Sequence, residues 1–244
     1  MSASRGTAAI FLLAGLLSGC GAHKQAPVNV PPPPAIPQTT TAPAPPEPTQ
    51  EVEKISVPAD AKPIFTQTGL ASWYGAPYNN RRGSNGEVYD MNAMTAAHRT
   101  LPLGSVARIT NIKTGHSVVV RITDRGPFVE GRIVDLSCAA AKALDVYGPG
   151  TATVRLDVLQ SPTPLDAGGR WAVQIGPFAN EHGAGELADH LQRRYRTANV
   201  LKFASPTRAW WVRVRVLHDD RQRAESLTRE TATAEGAVFL VRLD

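Results

Sequence analysis

Apolar and polar positions alternate in short runs through the middle of this chain. "GLASWYG", "SVARITNI", "HSVVVRITD" and "TATVRLDVL" are rich in β-branched residues and are cut by Gly, Pro and Asn, which is the pattern of short strands. Evenly spaced over residues 69–159, they predict a small closed barrel, interrupted by one short helix around Ser137 to Asp145. "QSPTPLDAGG", residues 160–169, reads as a linker. From residue 170 to 244 the pattern is β-α-β-β-α-β. "RWAVQIG" and "WWVRVRV" alternate as strands, Leu187, Leu191 and Tyr195 recur at helical spacing, and "DDRQRAESLTRET" and "AVFLVRL" supply a second helix and a last strand. This predicts an α+β layer: two helices on one face of a four-stranded antiparallel sheet, with the other face free to bind.

The N-terminal part is different in kind. Arg5 precedes an apolar stretch, Ala8 to Leu17, that is too short to span a bilayer. Leu17-Ser18-Gly19-Cys20 then resembles a bacterial lipobox. Residues 1–19 are therefore expected to be a lipoprotein leader and Cys20 to carry lipid, which would hold the protein to a membrane through buried methylenes. Residues 20–68 are proline-rich and read as an extended tether with too few large apolar groups to fold. The chain has two cysteines. With Cys20 lipidated, Cys138 has no partner for a disulfide, and in "SCAAAKAL" it reads as a buried structural thiol. The net charge of +5 suits an acidic polymer or anionic lipid, and an exported chain is not expected to bind nucleic acid. No phosphate loop, Gly-x-Ser-x-Gly elbow or zinc spacing is present in the sequence, and no metal or cofactor is expected.

Strand parity then picks out candidate chemistry. Val118, Val120, Ile122 and Asp124 share one face. Asp124 is thus expected to be the polar end of a buried stripe, at the barrel's rim, where desolvation raises a carboxyl pKa and a folded-back Arg125 would lower it. It reads either as a general acid or as an Asp capping a turn. Glu87 follows the Asn85-Gly86 turn, and His98 lies further along the same polar stretch. Two acids and a histidine suit glycan cleavage, which needs a proton donor and usually a second carboxylate; each also reads as an ordinary loop residue, and Asp90 as a turn cap. Asp135, just before the short helix, reads as an N-terminal cap or one half of a buried ion pair. In the second layer Trp171, Val173 and Ile175 should face the helices. Gln174, Trp211, Arg213 and Arg215 should face the open side of the sheet, where a Trp beside arginines suits a sugar polymer.

"GLASWYG", "NGEVYDMNAMTAAHRTLPLGSVARITN" and "VVVRITDRGPFVEGRIVDLSCAAAKAL" resemble the rare lipoprotein A (RlpA) family of endolytic peptidoglycan transglycosylases. "WAVQIGPF" and "WVRVRV" resemble a SPOR domain, a septal peptidoglycan-binding module. The resemblance implies a double-psi β-barrel over 69–159, a ferredoxin-like SPOR domain over 170–244 and a lyase. Its stem-peptide-stripped glycan substrate would be cut between MurNAc and GlcNAc to give 1,6-anhydro ends. It implies functional roles for Glu87, His98 and Asp124; on these residues Asp124 is expected to donate the proton, Glu87 to stabilise positive charge or position the sugar, and His98 to orient one of the carboxylates, while the spacing leaves open which acid does which job. It also implies periplasm-facing attachment at the septum and divisome proteins as candidate partners. A non-catalytic wall-binding lipoprotein is the alternative. Asn79-Asn80-Arg81-Arg82-Gly83-Ser84 stands where the family often reads His-Gly-Arg-x-Thr-Ala, and Leu217-His218-Asp219 where Gly-Pro-Phe often follows the last motif.

Overall fold

A computed structural model describes residues 57–58, 60–196, 199–233 and 235–244. The expected leader, Cys20 and most of the tether lie outside the described residues. No described helix is long and apolar enough to cross a membrane.

Six strands close a barrel: β1 (Phe65–Trp73), β2 (Thr95–His98), β3 (Val106–Asn111), β4 (Ser117–Asp124), β5 (Arg132–Leu136) and β6 (Ala152–Gln160). Their order around the barrel is β1-β5-β2-β4-β3-β6, with β1/β5 and β2/β4 parallel and the other pairs antiparallel. The alternating strands put Val120, Ile122, Val134, Leu136, Val154 and Leu156 inside, each fully buried. Each such side chain contributes about 1.5–3 kcal/mol by leaving water. Two strands escaped the sequence pattern. "TAAH" and "RIVDL" are four and five residues long, too short to show a period. The helix α1 (Cys138–Ala143) packs Ala140 and Ala141 into the barrel core. Its cap is Ser137, whose side chain accepts from the Ala140 N–H. Asp135 does not cap it, because Asp135 sits within β5. Cys138 is buried and free.

The second layer is a four-stranded antiparallel sheet ordered β10-β7-β9-β8, built from β7 (Trp171–Phe178), β8 (Asn199–Ala204), β9 (Trp210–Arg215) and β10 (Ala237–Arg242). Helices α2 (Glu181–Arg194) and α3 (Arg221–Glu230) start at the side-chain caps Asn180 and Asp220. They pack Ala184, Leu191, Ala224 and Leu227 onto Trp171, Val173, Ile175, Val212 and Val214, as the parity requires. The chain order and layering match the expected α+β unit.

The other sheet face is not free. Trp211, Phe239 and Val241 form a small core of their own with Phe128 from the barrel side; Phe128 meets Trp211 at 5.4 Å and Phe239 at 5.8 Å between ring centroids. Arg99 lies over the Phe239 ring. The connecting segment is also held. Arg242, only 1 % exposed, donates to the Pro164 carbonyl and the Thr163 hydroxyl. Leu165 packs on the barrel core. Barrel and sheet therefore wall a cleft between them.

Candidate active site

The cleft encloses about 500 Å³, within the range of ligand pockets. The barrel contributes Asp124 and Asp135, and the sheet contributes Gln174, Trp211 and Arg213. The alternation of β4 stops at a bulge: Ala96 pairs with Ile122 and Ala97 with Asp124, leaving Thr123 extra. A bulge re-aims the side chains beyond it. Asp124 accordingly does not extend the buried stripe. It is half-buried at the rim and lines the cleft.

Three donors converge on one oxygen of Asp124. Oδ1 accepts from the Ser84 N–H at 3.0 Å, the Ser84 hydroxyl at 2.5 Å and the Arg125 N–H at 2.7 Å. The Arg125 guanidinium does not fold back onto Asp124. It runs inward, 8 % exposed, and donates to the main-chain oxygens of His98, Leu101 and Asp244. The stretch Asp124 to Phe128 thus presents a carboxylate to the cleft, bolts the barrel rim to the main chain at Asp244 just past the last strand, and plugs the sheet with Phe128.

Asp135, which the sequence offers as a helix cap or one half of a buried ion pair, also lines the cleft. It accepts a 2.5 Å hydrogen bond from the Ser72 hydroxyl and lies 3.6 Å from the Arg132 guanidinium. Burial pushes its pKa up, against the opposing pull of Ser72, Arg132 and Arg99. The capping half of the earlier expectation does not fit; Arg132 stands within ion-pair distance, but burial opposes the charge that a pair would need. Gly126 passes beside it: a methyl group there would sit 3.8 Å from Asp135 Oδ2. Tyr74 lines the same wall. Burial, with the Asp124, Tyr89 and Asp135 charges nearby, holds its phenol well above the ordinary value. Its hydroxyl is buried beside the Thr95 side chain, whose hydrogen bond opposes that shift.

Glu87 and His98 lie away from the cleft. Glu87 makes a two-pronged pair with Arg121 at 3.1 and 3.0 Å, which lowers its pKa. Its loop is tied to β4 by the Asn85 N–H donating to the Thr123 carbonyl, and within the loop Asn85 accepts from the Glu87 N–H. Glu87 thereby anchors the loop that carries Ser84. His98 is 4 % exposed. Its Nδ1 accepts from the N–H groups of Thr100 and Leu101, so Nε2 carries the proton and donates to Gln67. Burial, then the Arg99 and Arg125 charges, push its pKa down to about 3. His98 shapes the turn whose carbonyls receive Arg125.

On the sheet, Gln174 is 2 % exposed and Trp211 8 %, so neither stands on an open surface as expected. Arg213 donates from Nε and Nη2 to Gln174 Oε1 at 3.1 and 2.6 Å and lies over the Phe203 ring. Arg215 is outside the cleft lining and pairs with Asp219 at 3.0 and 2.9 Å. Among the described residues no group of three or more His, Cys, Asp or Glu could hold a metal ion.

A six-stranded closed barrel with two carboxylates at its rim, followed by a βαββαβ sheet unit, defines a two-part protein of the double-psi barrel and SPOR class. Residues 66–156 match the family model described as lytic transglycolase, and residues 167–236 match the SPOR domain model. The chain is 41 % identical over 160 residues to the endolytic peptidoglycan transglycosylase RlpA of Helicobacter pylori (strain J99), covering 54 % of this chain and 51 % of the relative. It is 48 % identical over 122 residues to that of Neisseria meningitidis serogroup A, covering 49 % and 51 %. With that of Vibrio cholerae it shares 53 % over 100 residues, covering 41 % and 38 %. The chain spans about half the length of the first of these relatives. Both models are matched in this order, and the chain is similar to these RlpA relatives over about half of their length.

Proposed function

We propose that this protein is a lytic transglycosylase that cuts the MurNAc–GlcNAc bond of peptidoglycan glycan strands, and that its two cleft carboxylates divide the work. The observation that carries the reading is the contrast between them. Burial favours a protonated Asp135, whereas three donors converge on Asp124 as on a carboxylate. Two carboxyls whose environments differ in this way suit an acid and a charge stabiliser. The Asp135 proton passes to the glycosidic oxygen as the bond from C1 breaks. Asp124 faces the developing positive charge. The C6 hydroxyl of the same muramyl residue then bonds to C1 and returns its proton to Asp135, so that no water is consumed and a 1,6-anhydro end forms. Glu87 and His98 act as positioning residues, Glu87 through the Ser84 loop and His98 through Arg125. Arg81, Arg82, Arg125, Arg132 and Arg213 outnumber the two acids of the lining, a balance that favours an anionic polymer.

The location belongs to the same proposal. Lipid on Cys20 and the proline-rich tether would hold the barrel and SPOR unit away from a membrane in the periplasm. The SPOR unit would enrich it at septal glycan, with divisome proteins as neighbours. Mass spectrometry of glycan strands treated with purified protein tests the activity. Wild type should release anhydro-muramyl ends, while Asp124→Asn and Asp135→Asn should release them at rates lower by about 10²- to 10⁴-fold. Hydrolysed reducing ends would refute the transglycosylase chemistry. Bound but uncut strands with wild type would favour a wall-binding lipoprotein.

A further inference from the structure

We propose that the free edge of β10 is a docking site for an extended, acidic peptide segment of a partner protein, which adds there as a further strand. The inference does not depend on glycan cleavage. It concerns a second recess of about 470 Å³ that shares no lining residue with the cleft. Val238, Phe239 and Leu240 form one wall, and Gln67, Arg99 and Gly131 of the barrel stand around it. β10 ends the sheet and pairs there with β7 alone. Its bonding parity is set at its C-terminal end. The Leu243 N–H donates inward to the Arg170 carbonyl at 2.7 Å, whereas the Arg242 N–H donates outward to the Arg99 carbonyl at 3.0 Å. Bonding alternates residue by residue along an antiparallel pair. Val241 and Phe239 therefore bond to β7, and the N–H and C=O groups of Leu240 and Val238 point into the recess. Among the described residues these groups have no partner. Arg99 thus supplies the first rung of a strand that the chain does not continue. A row of alternating donors and acceptors at strand spacing is a template for an added strand. The preferred charge comes from Arg99. Its guanidinium is half-buried, lies over the Phe239 ring at 5.4 Å and donates from Nη1 to the Pro127 carbonyl at 3.1 Å. The Asp135 charge acts on it only from further off. Glu130, on the other lip, is exposed, so its charge is screened. A carboxylate on the incoming strand would take the remaining guanidinium donors. A second copy of this chain fits less well, because β10, "AVFLVR", has no acid to face Arg99.

The test uses the full chain and fluorescein-labelled heptapeptides of alternating Val and Thr, whose central residue is Glu, Gln or Lys. Binding is read by fluorescence anisotropy. The Glu peptide should bind about 3- to 30-fold more tightly than the Gln peptide, the worth of a charge-assisted bond at a half-exposed site, and the Lys peptide most weakly. Arg99→Gln should bring the Glu and Gln peptides to equal affinity. Leu240→Pro removes one outward N–H and leaves the ladder to β7 in place; it should weaken the Glu peptide by about 3- to 10-fold. Should that variant fail to fold, amide exchange in the wild type reads the same edge. The Val238 and Leu240 N–H groups should exchange faster than those of Phe239 and Val241, and should become protected when the Glu peptide is added. The proposal is overturned if no peptide binds at about 1 mM, if the Lys peptide binds as tightly as the Glu peptide, or if the bound Glu peptide leaves the Val238 and Leu240 amides unprotected. Dimerisation of the chain that is lost in Leu240→Pro would overturn it in favour of a second copy.

Discussion

Replacing Arg125 by Met probes the bolt between barrel and sheet, since Met keeps an unbranched apolar stem and removes the guanidinium. Arg125 donates to His98 O at 3.0 Å, Leu101 O at 2.6 Å and Asp244 O at 2.5 Å. His98 and Leu101 are each 4 % exposed, so their carbonyls lose their guanidinium donor where water does not reach; Asp244 is nearer solvent and can be rewetted. Two unsatisfied buried acceptors cost about 1–3 kcal/mol each. Part of this is offset because Met relieves the desolvation that pushes the Arg125 pKa down to about 10, and the buried Nε that has no partner. The expected net loss is about 2–4 kcal/mol. For a unit of this size that lowers Tm by roughly 5–15 °C. Urea unfolding followed by tryptophan fluorescence reads it directly, because Trp211 sits on the Phe128 plug. Arg125→Lys should fall between wild type and Met. A Met variant within about 0.5 kcal/mol of wild type would show that the bolt adds nothing beyond its apolar stem.

His98 should make stability acid-sensitive. Its pKa is lowered from 6.5 to about 3 in the folded chain, so its stabilising contribution is complete above the unfolded value and is lost as pH falls towards 3. Between pH 7 and 4.5 wild type should lose about 2–3 kcal/mol more than His98→Gln in chemical denaturation, and equal losses would contradict a buried neutral imidazole. Ser84→Ala removes the 2.5 Å hydroxyl bond to Asp124 but keeps the N–H bond; cleavage should fall by about 3- to 10-fold with Tm nearly unchanged, and an unchanged kcat would remove Ser84 from the account. Gly126→Ala meets no overlap but adopts φ +149°, so a loss of about 1–3 kcal/mol is expected in thermal unfolding. Asp135→Asn should unfold no more easily than wild type at pH 7, since burial of its charge is what raises its pKa; a clearly lower Tm would argue for a structural ion pair with Arg132.

The parts of the fold visible in the sequence were those in which a local period meets a buried face. "SVVVRITD" alternates because one side of β4 faces the barrel core, and "WAVQIGPF" because one side of β7 faces two helices. The parity that set Trp211 and Arg213 apart from Val212 and Val214 was right about the faces and silent about the cover, since the Phe128 contact joins residues far apart in the chain. The site was less legible for the same reason. The bulge at Thr123 that turns Asp124 into the cleft arises from pairing with β2, a strand too short to show a period. Asp135 looked like a helix cap because Ser137 and α1 follow it at once. Its role depends on Ser72, 63 residues earlier, and on burial that no local pattern records. Arg125 lies beside Asp124, yet its guanidinium reaches a carbonyl 119 residues away. A double signal was present at Asp135, in the acid directly after the apolar pair Ile133-Val134, and strand parity would have found it had "RIVDL" been read as a strand.

The proposed division of labour between the two acids can be measured without any substrate. In the protein labelled with ¹³C at its Asp side-chain carboxyls, the Asp135 resonance, assigned by its absence in Asp135→Asn, is followed by NMR as pH is raised. Asp135 should titrate clearly above the ordinary aspartate value of about 3.9, because burial holds its proton. A titration at or below that value would contradict its assignment as the proton donor of the cleft.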